Sequence, residues 1–163
     1  MKISGKARLV GDKVSAESIL PSAYLTAAPQ KLGKHALEGI DPTFVQRVVP
    51  GDILVAGRFF GGGSSREQAT LALKYCGISA VVAESFARIF FRNALNLGLP
   101  ALECSWKGRV EEGDDLAIDV EAGEVRNLRT GEVFHAPPLP PFLISLLAGG
   151  GLIEQIKRQA VGL

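Results

Sequence analysis

The chain has 163 residues and a formal net charge of +1, with 18 Lys and Arg against 17 Asp and Glu and no dense basic run. That balance gives no general electrostatic reason to bind nucleic acid or an anionic membrane surface, so any recognition of an anion must be local. A hydrophobic content of 47% supports one globular domain over residues 1–163, while the lack of a membrane-length apolar run or a signal-type N-terminus leads us to expect a cytoplasmic protein.

Residues 2–10 read as a strand, and Pro21 to His35 as a loop with a following helix. Asp52 to Gly57 is a short apolar run of the kind buried in a parallel sheet, and it opens into Arg58-Phe59-Phe60-Gly61-Gly62-Gly63-Ser64-Ser65-Arg66-Glu67. From Ser65 to Cys76 the apolar side chains Ala69, Ala72, Leu73 and Cys76 recur at helical spacing, with Gly77 placed as the terminating glycine. Ser64 to Glu67 and Ser65 to Gln68 both have capping-box spacing. A second cycle follows: strand Ile78 to Ala83, a helix from about Ser85 to Leu97 with Phe86, Ile89, Phe90 and Leu95 on its apolar face, and strand Leu99 to Cys104. After Trp106, short β-like pieces alternate with polar turns, as in antiparallel hairpins. Ala136 to Pro141 is a proline-stiffened connector, and two short helices, Phe142 to Leu147 and Ile153 to Gln159, flank Gly149-Gly150-Gly151. The pattern is an α/β core with a β-rich flank.

Cys76 and Cys104 have no metal-ligand spacing, and His35 and His135 lie far from both in sequence, so no metal site is expected on this chain. The thiols read as small buried hydrophobes. Phe59 and Phe60 read as strand-end core, Trp106 as an anchor for a hairpin or an interface, and Arg88 and Arg92 as helix arginines facing solvent or a partner.

The glycine loop does not match a phosphate motif. A Walker loop ends in Gly-Lys-Ser/Thr, whereas this one reads Gly63-Ser64-Ser65, and a dinucleotide fingerprint places Gly or Ala where Arg66 stands. What survives is an anion nest at a helix start, or a capped turn with a surface arginine. A second serine and an arginine on the first helical turn exceed what a cap requires. The helix dipole and the adjacent cation also favour a deprotonated hydroxyl, so Ser64 is a candidate base or nucleophile. No Gly-x-Ser-x-Gly elbow is present, because Arg66 takes the second glycine's place.

Gly51 to Ala69, together with Ala83-Glu84-Ser85-Phe86-Ala87-Arg88-Ile89-Phe90-Phe91-Arg92-Asn93-Ala94-Leu95-Asn96-Leu97-Gly98, closely resembles the swivel domain of the aconitase superfamily. The nearest likeness within it is to the small subunits of two-subunit dehydratases of the 3-isopropylmalate dehydratase kind. The resemblance implies a three-layer β/β/α fold with a parallel βαβαβ core. It also implies a large subunit, in a heterodimer or heterotetramer, that carries a [4Fe–4S] cluster while this chain binds no cofactor. By the same carry-over Ser64 is the general base, and Arg66 binds a carboxylate of a 2-hydroxydiacid. Ser65, Gly62 and Gly63 complete the anion nest, and Thr26 faces the substrate from the loop after Pro21-Ser22-Ala23-Tyr24.

The implied reaction is dehydration and rehydration of an isopropylmalate in leucine biosynthesis. Homoaconitase-like relatives place an arginine in the loop that here reads Tyr24-Leu25-Thr26-Ala27-Ala28, and this chain has none. Val14-Ser15-Ala16-Glu17 stands where the family has an Asp-Thr-Asp-type motif that helps build the site wall, and Gly62 stands where many relatives have cysteine. The alternatives are a homoaconitase or other hydroxydiacid dehydratase subunit, or a noncatalytic carboxylate-binding module.

Overall fold

The computed structural model of the chain describes residues 1–64 and 66–162. Strands β1 (Lys2–Leu9), β2 (Ile53–Ala56), β3 (Ala80–Ala83) and β4 (Ala101–Glu103) pair in parallel. Strands β5 (Asp115–Asp119), β6 (Glu124–Asn127) and β7 (Val133–His135) continue antiparallel from the other side of β1, giving one sheet in the order β4-β3-β2-β1-β5-β6-β7. β1 serves both halves: Lys2 to Lys6 pair with β5, and Ala7 to Leu9 pair with β2.

Every residue of β2 and β3 is buried, as expected for parallel strands covered on both faces. Ile53, Val55, Ala80 and Val82 pack against Leu116, Ile118, Val125 and Phe134 of the antiparallel half. Leu54, Ala56, Val81 and Ala83 face the helices instead. The fold is therefore three layers, β/β/α, as the resemblance implied. Two crossover helices supply most of the outer layer: α4 (Glu67–Cys76) between β2 and β3, and α5 (Arg88–Asn96) between β3 and β4. Short helices α1 (Ala16–Ile19), α2 (Pro29–Leu32) and α3 (Phe44–Arg47) precede β2, with 3-10 turns at Ser22–Tyr24 and Gly33–His35. Helices α6 (Pro141–Ala148) and α7 (Leu152–Val161) end the chain on either side of the triple glycine.

Both crossover helices start later than their sequence patterns suggest. α4 begins at Glu67 with Arg66 as its N-cap and no side-chain cap hydrogen bond, so the Ser64–Glu67 capping box is not what starts it; the Ser65–Gln68 one lies outside the described residues. α5 begins at Arg88, because Ser85 and Ala87 instead pair their backbones with Phe60, at 3.0 and 2.9 Å. This pairing leaves Ile89 48% exposed, whereas Phe90 stacks edge-on against Phe60 in the core. Gly77 terminates α4 as expected, in the left-handed conformation at φ 109°. Trp106 is buried: its indole N–H donates to the Ala56 carbonyl at 2.6 Å, and its backbone N–H donates to Glu84 Oε1 at 3.0 Å. Trp106 thus anchors the end of β2 from which the glycine loop departs.

One buried polar cluster braces the antiparallel half. The Asp114 carboxylate accepts from Arg129 Nε at 2.6 Å, from Asn127 Nδ2 at 2.8 Å and from the Glu111 N–H at 2.8 Å. The Arg129 hydrogen bond, followed by those from Glu111 and Asn127, outweighs burial and holds this carboxyl well below the usual range. A depressed folded-state pKa contributes stability that is present above the unfolded carboxylate value, about 4, and is lost as pH falls further toward the folded value. Asp114→Asn is therefore expected to cost about 2 kcal/mol at pH 7. Urea titrations at pH 7 and pH 3 should show the gap to wild type narrowing on acidification; a constant gap would contradict this account.

Candidate active site

The loop leaving β2 is held by backbone pairing on both flanks. On one side Gly61 N–H donates to the Val14 carbonyl at 2.7 Å, and Ala16 N–H donates to the Gly62 carbonyl at 2.8 Å. On the other, Phe60 bridges to Phe86. Gly61 and Gly63 have φ of 84° and 91°, conformations that only glycine adopts without strain. Val14 to Ile19 consequently lies alongside the glycine loop, with Ser15 capping α1 by accepting from the Ser18 N–H at 3.1 Å.

The loop brings Ser64 and Arg66 together. Ser64 is exposed, and its Oγ accepts from Arg66 Nε at 3.0 Å. The Arg66 side chain is only 13% exposed and lies beneath the loop. Arg66 Nη1 donates to the Leu20 carbonyl at 3.1 Å and Nη2 to Ser22 Oγ at 3.0 Å, with Glu17 Oε1 at 3.7 Å from Nη2. Three of the five guanidinium N–H donors are thus spent on internal acceptors, so the arginine is fixed in place before any ligand arrives. A hydroxyl that receives a cationic donor beside a helix N-terminus is stabilised in its alkoxide form.

Of the other expected site residues, Gly62 and Gly63 contribute backbone, and Ser65 lies outside the described residues. Thr26 is exposed on the loop that carries Ser22 and is not among the hydrogen-bond partners of Ser64 or Arg66. Ser22 and the Leu20 carbonyl were not legible as site groups, because they stand more than 40 residues from Arg66 and no local pattern marks them.

Phe59 is not core. It is 52% exposed, its φ of 53° is a left-handed conformation rare for a bulky residue, and its ring lies over Gly62. A Cβ at position 62 would meet Phe59 Cε1 at 2.3 Å. Gly62→Ala is therefore expected to cost about 1–2 kcal/mol by displacing the ring. Asparagine tolerates the left-handed region and has no ring, so the cost should vanish in a Phe59→Asn background. A double-mutant cycle by urea unfolding checks this, and additive effects would refute the contact.

The comparisons with known proteins agree on one family. The aconitase C-terminal domain family matches residues 19–106. The 3-isopropylmalate dehydratase small subunit of Pyrobaculum aerophilum is 52% identical over 160 residues, covering 97% of this chain and 99% of its own length. The chain belongs to the aconitase C-terminal domain family, among the 3-isopropylmalate dehydratase small subunits. The isopropylmalate/citramalate isomerase small subunit of Methanocaldococcus jannaschii is 48% identical over 161 residues, covering 96% of this chain and 95% of its own. A crystal structure of 3-isopropylmalate dehydratase from the same organism matches with a TM-score of 0.91 at 41% identity, over 99% of this chain and 96% of that one. The aconitase X of Thermococcus kodakaraensis shares the fold, at a TM-score of 0.57 and 17% identity.

An iron–sulfur cluster is held by thiolates, and the residues of this chain do not fit one. Burial pushes the Cys76 thiol up to about 11 and the Cys104 thiol up to about 12. Among the described residues no three His, Cys, Asp or Glu side chains gather as metal ligands. No helix among them is long and apolar enough to cross a membrane.

Proposed function

We propose that this chain works as the small subunit of a 3-isopropylmalate dehydratase in leucine biosynthesis, with Ser64 as the proton-transfer group and Arg66 as its partner. The observation that carries the reading is the 3.0 Å donation from Arg66 Nε to the exposed Ser64 Oγ, on a glycine loop at the start of α4. The Ser64 alkoxide takes the proton from the carbon beside a carboxylate as the neighbouring C–O bond breaks, leaving an alkene, a protonated Ser64 and the departing oxygen as hydroxide. Rehydration in the opposite sense, with the proton returned from Ser64, sets the hydroxyl on the adjacent carbon. The Arg66 N–H groups left over after its three internal bonds meet a substrate carboxylate, and Ser65 with the Gly62 and Gly63 backbone completes the nest.

An alkoxide open to water is a poor base for a weakly acidic C–H, so Ser64 needs a covering partner to exclude solvent. That requirement supports a large subunit, in a heterodimer or heterotetramer, that carries the [4Fe–4S] cluster and closes over this loop in the cytoplasm. For the substrate, Thr26, Ala27 and Ala28 offer a small surface suited to an alkyl group. Glu17, 68% exposed and beside Arg66, sets a negative charge against any third carboxylate and so disfavours homocitrate. Citramalate is the second reading, because one relative carries both substrates in its name.

The test is reconstitution with the cognate large subunit and a panel of 2-isopropylmalate, citramalate and homocitrate. Turnover of 2-isopropylmalate is expected, and preference for homocitrate would overturn the assignment. Association without turnover of any hydroxydiacid would favour a noncatalytic carboxylate-binding module.

A further inference from the structure

The acceptors that fix Arg66 sit on a segment that is itself pinned from outside the site. Leu20 and Ser22 flank Pro21, and the turn continues through backbone bonds from Tyr24 N–H to the Pro21 carbonyl at 3.1 Å and from Ala27 N–H to the Tyr24 carbonyl at 3.0 Å. The Tyr24 ring stacks on the His35 imidazole, with centroids 3.6 Å apart and planes within 6°. Tyr24 Oη donates to Glu38 Oε1 at 3.0 Å, and His35 Nδ1 lies 2.6 Å from Glu38 Oε2. Both oxygens of one carboxylate are thereby committed to two rings that are already stacked on each other. The same hydrogen bond to Glu38 is the main reason the Tyr24 phenol is pushed above its ordinary value.

The backbone that presents Glu38 is tightly constrained. Leu37, fully buried, has φ of 58°, a left-handed conformation costly for leucine. Its N–H donates to the Ile19 carbonyl at 2.7 Å, and the Gly39 N–H donates to the Ser18 carbonyl at 3.1 Å, so Glu38 is tied to the helix that delivers Leu20. The Tyr24 ring packs against the core around Leu20, Leu32 and Phe44, whereas the Glu38 carboxylate and the His35 ring lie about a third exposed at its rim. Strain next to a carboxylate that core packing does not require is the signature of positioning.

We infer that Tyr24, His35 and Glu38 form a clamp that holds the 20–28 segment, and that Glu38 thereby acts as a positioning residue, keeping Leu20 and Ser22 in register with Arg66 and so Arg66 against Ser64. This deepens the reading of Ser64 and Arg66 as the working pair and rests on it. Loosening the clamp lets the Arg66 acceptors drift, so the guanidinium meets its ligand less well oriented. A misplacement of this kind is expressed in substrate binding before it is expressed in chemistry.

The test combines two readouts on Glu38→Ala, Glu38→Gln and Tyr24→Phe. Hydrogen exchange on the full chain alone should speed up across 20–28 in Glu38→Ala. Tyr24→Phe keeps the stack and loses the phenol, and should show a smaller increase. In the reconstituted enzyme, with whichever hydroxydiacid it turns over, Glu38→Ala should raise KM about ten- to a hundredfold with a smaller change in kcat. Glu38→Gln, which still accepts from Tyr24, should recover most of that loss. Unchanged exchange at 20–28 in both Glu38→Ala and Tyr24→Phe would overturn the clamp; faster exchange with unchanged KM would overturn its link to Arg66. Because exchange is read without substrate, it tests the clamp even if the substrate assignment fails.

Discussion

Ser64→Ala should lower kcat of the assembled enzyme by about 10²–10⁴-fold while leaving KM close to the wild-type value. The range is what a positioned proton-transfer group contributes, and KM holds because a substrate carboxylate meets Arg66, not the hydroxyl. The side chain is exposed and its hydrogen bond among the described residues is with Arg66, so its removal should leave folding of the small subunit intact. Steady-state kinetics on the reconstituted pair, with unfolding of the small subunit as control, reads the effect. Loss of less than about fivefold would remove Ser64 from the proton-transfer role.

Arg66→Lys is expected to affect binding, chemistry and stability together. From sequence alone the substitution should mainly weaken carboxylate binding, since an ammonium cannot reproduce the guanidinium fork. In the structure the same side chain also donates to Ser64 Oγ, the Leu20 carbonyl and Ser22 Oγ, and one lysine nitrogen cannot serve all three. Leu20 is fully buried, so a carbonyl there that loses its donor costs about 1–3 kcal/mol. The expected outcome is a fall in kcat/KM of about 10²–10³-fold shared between kcat and KM, with a lower midpoint of unfolding. A change in KM alone would mean that the contact with Ser64 does not tune the hydroxyl.

The two predictions differ because neighbouring residues on one loop have different roots in the fold. Ser64 stands at the surface and, among the described residues, its side chain is hydrogen-bonded to Arg66, whereas the largely covered Arg66 side chain is also held by groups of the 17–22 segment. A resemblance at the level of the Gly-Ser-Ser-Arg-Glu motif names both residues and does not distinguish how each is held.

Local signals served where local physics decides. The apolar run of β2, the helical spacing of Ala69, Ala72 and Leu73, and Gly77 at the end of α4 were readable because burial period and terminal glycine act within a few residues. The same signals misplaced both helix starts. Ser85 to Ala87 look like a first helical turn, yet their backbone groups are taken by Phe60, about 25 residues earlier. Phe59 reads as core by composition, but the left-handed turn into the glycines sets its ring over Gly62 and half into solvent.

The sequence by itself determined the α/β alternation, the glycine loop, and the Ser64 and Arg66 side chains whose pattern identifies the family. Only the tertiary structure decided what holds those side chains. Ser22 and the Leu20 carbonyl reach Arg66 across the fold, through hydrogen bonds that have no period and no spacing along the chain, and Tyr24, His35 and Glu38 are joined to one another in the same way. Periodicity reports which face of an element is buried. It does not report which distant acceptor a guanidinium finds, because that depends on how strands and loops far apart in sequence are brought side by side.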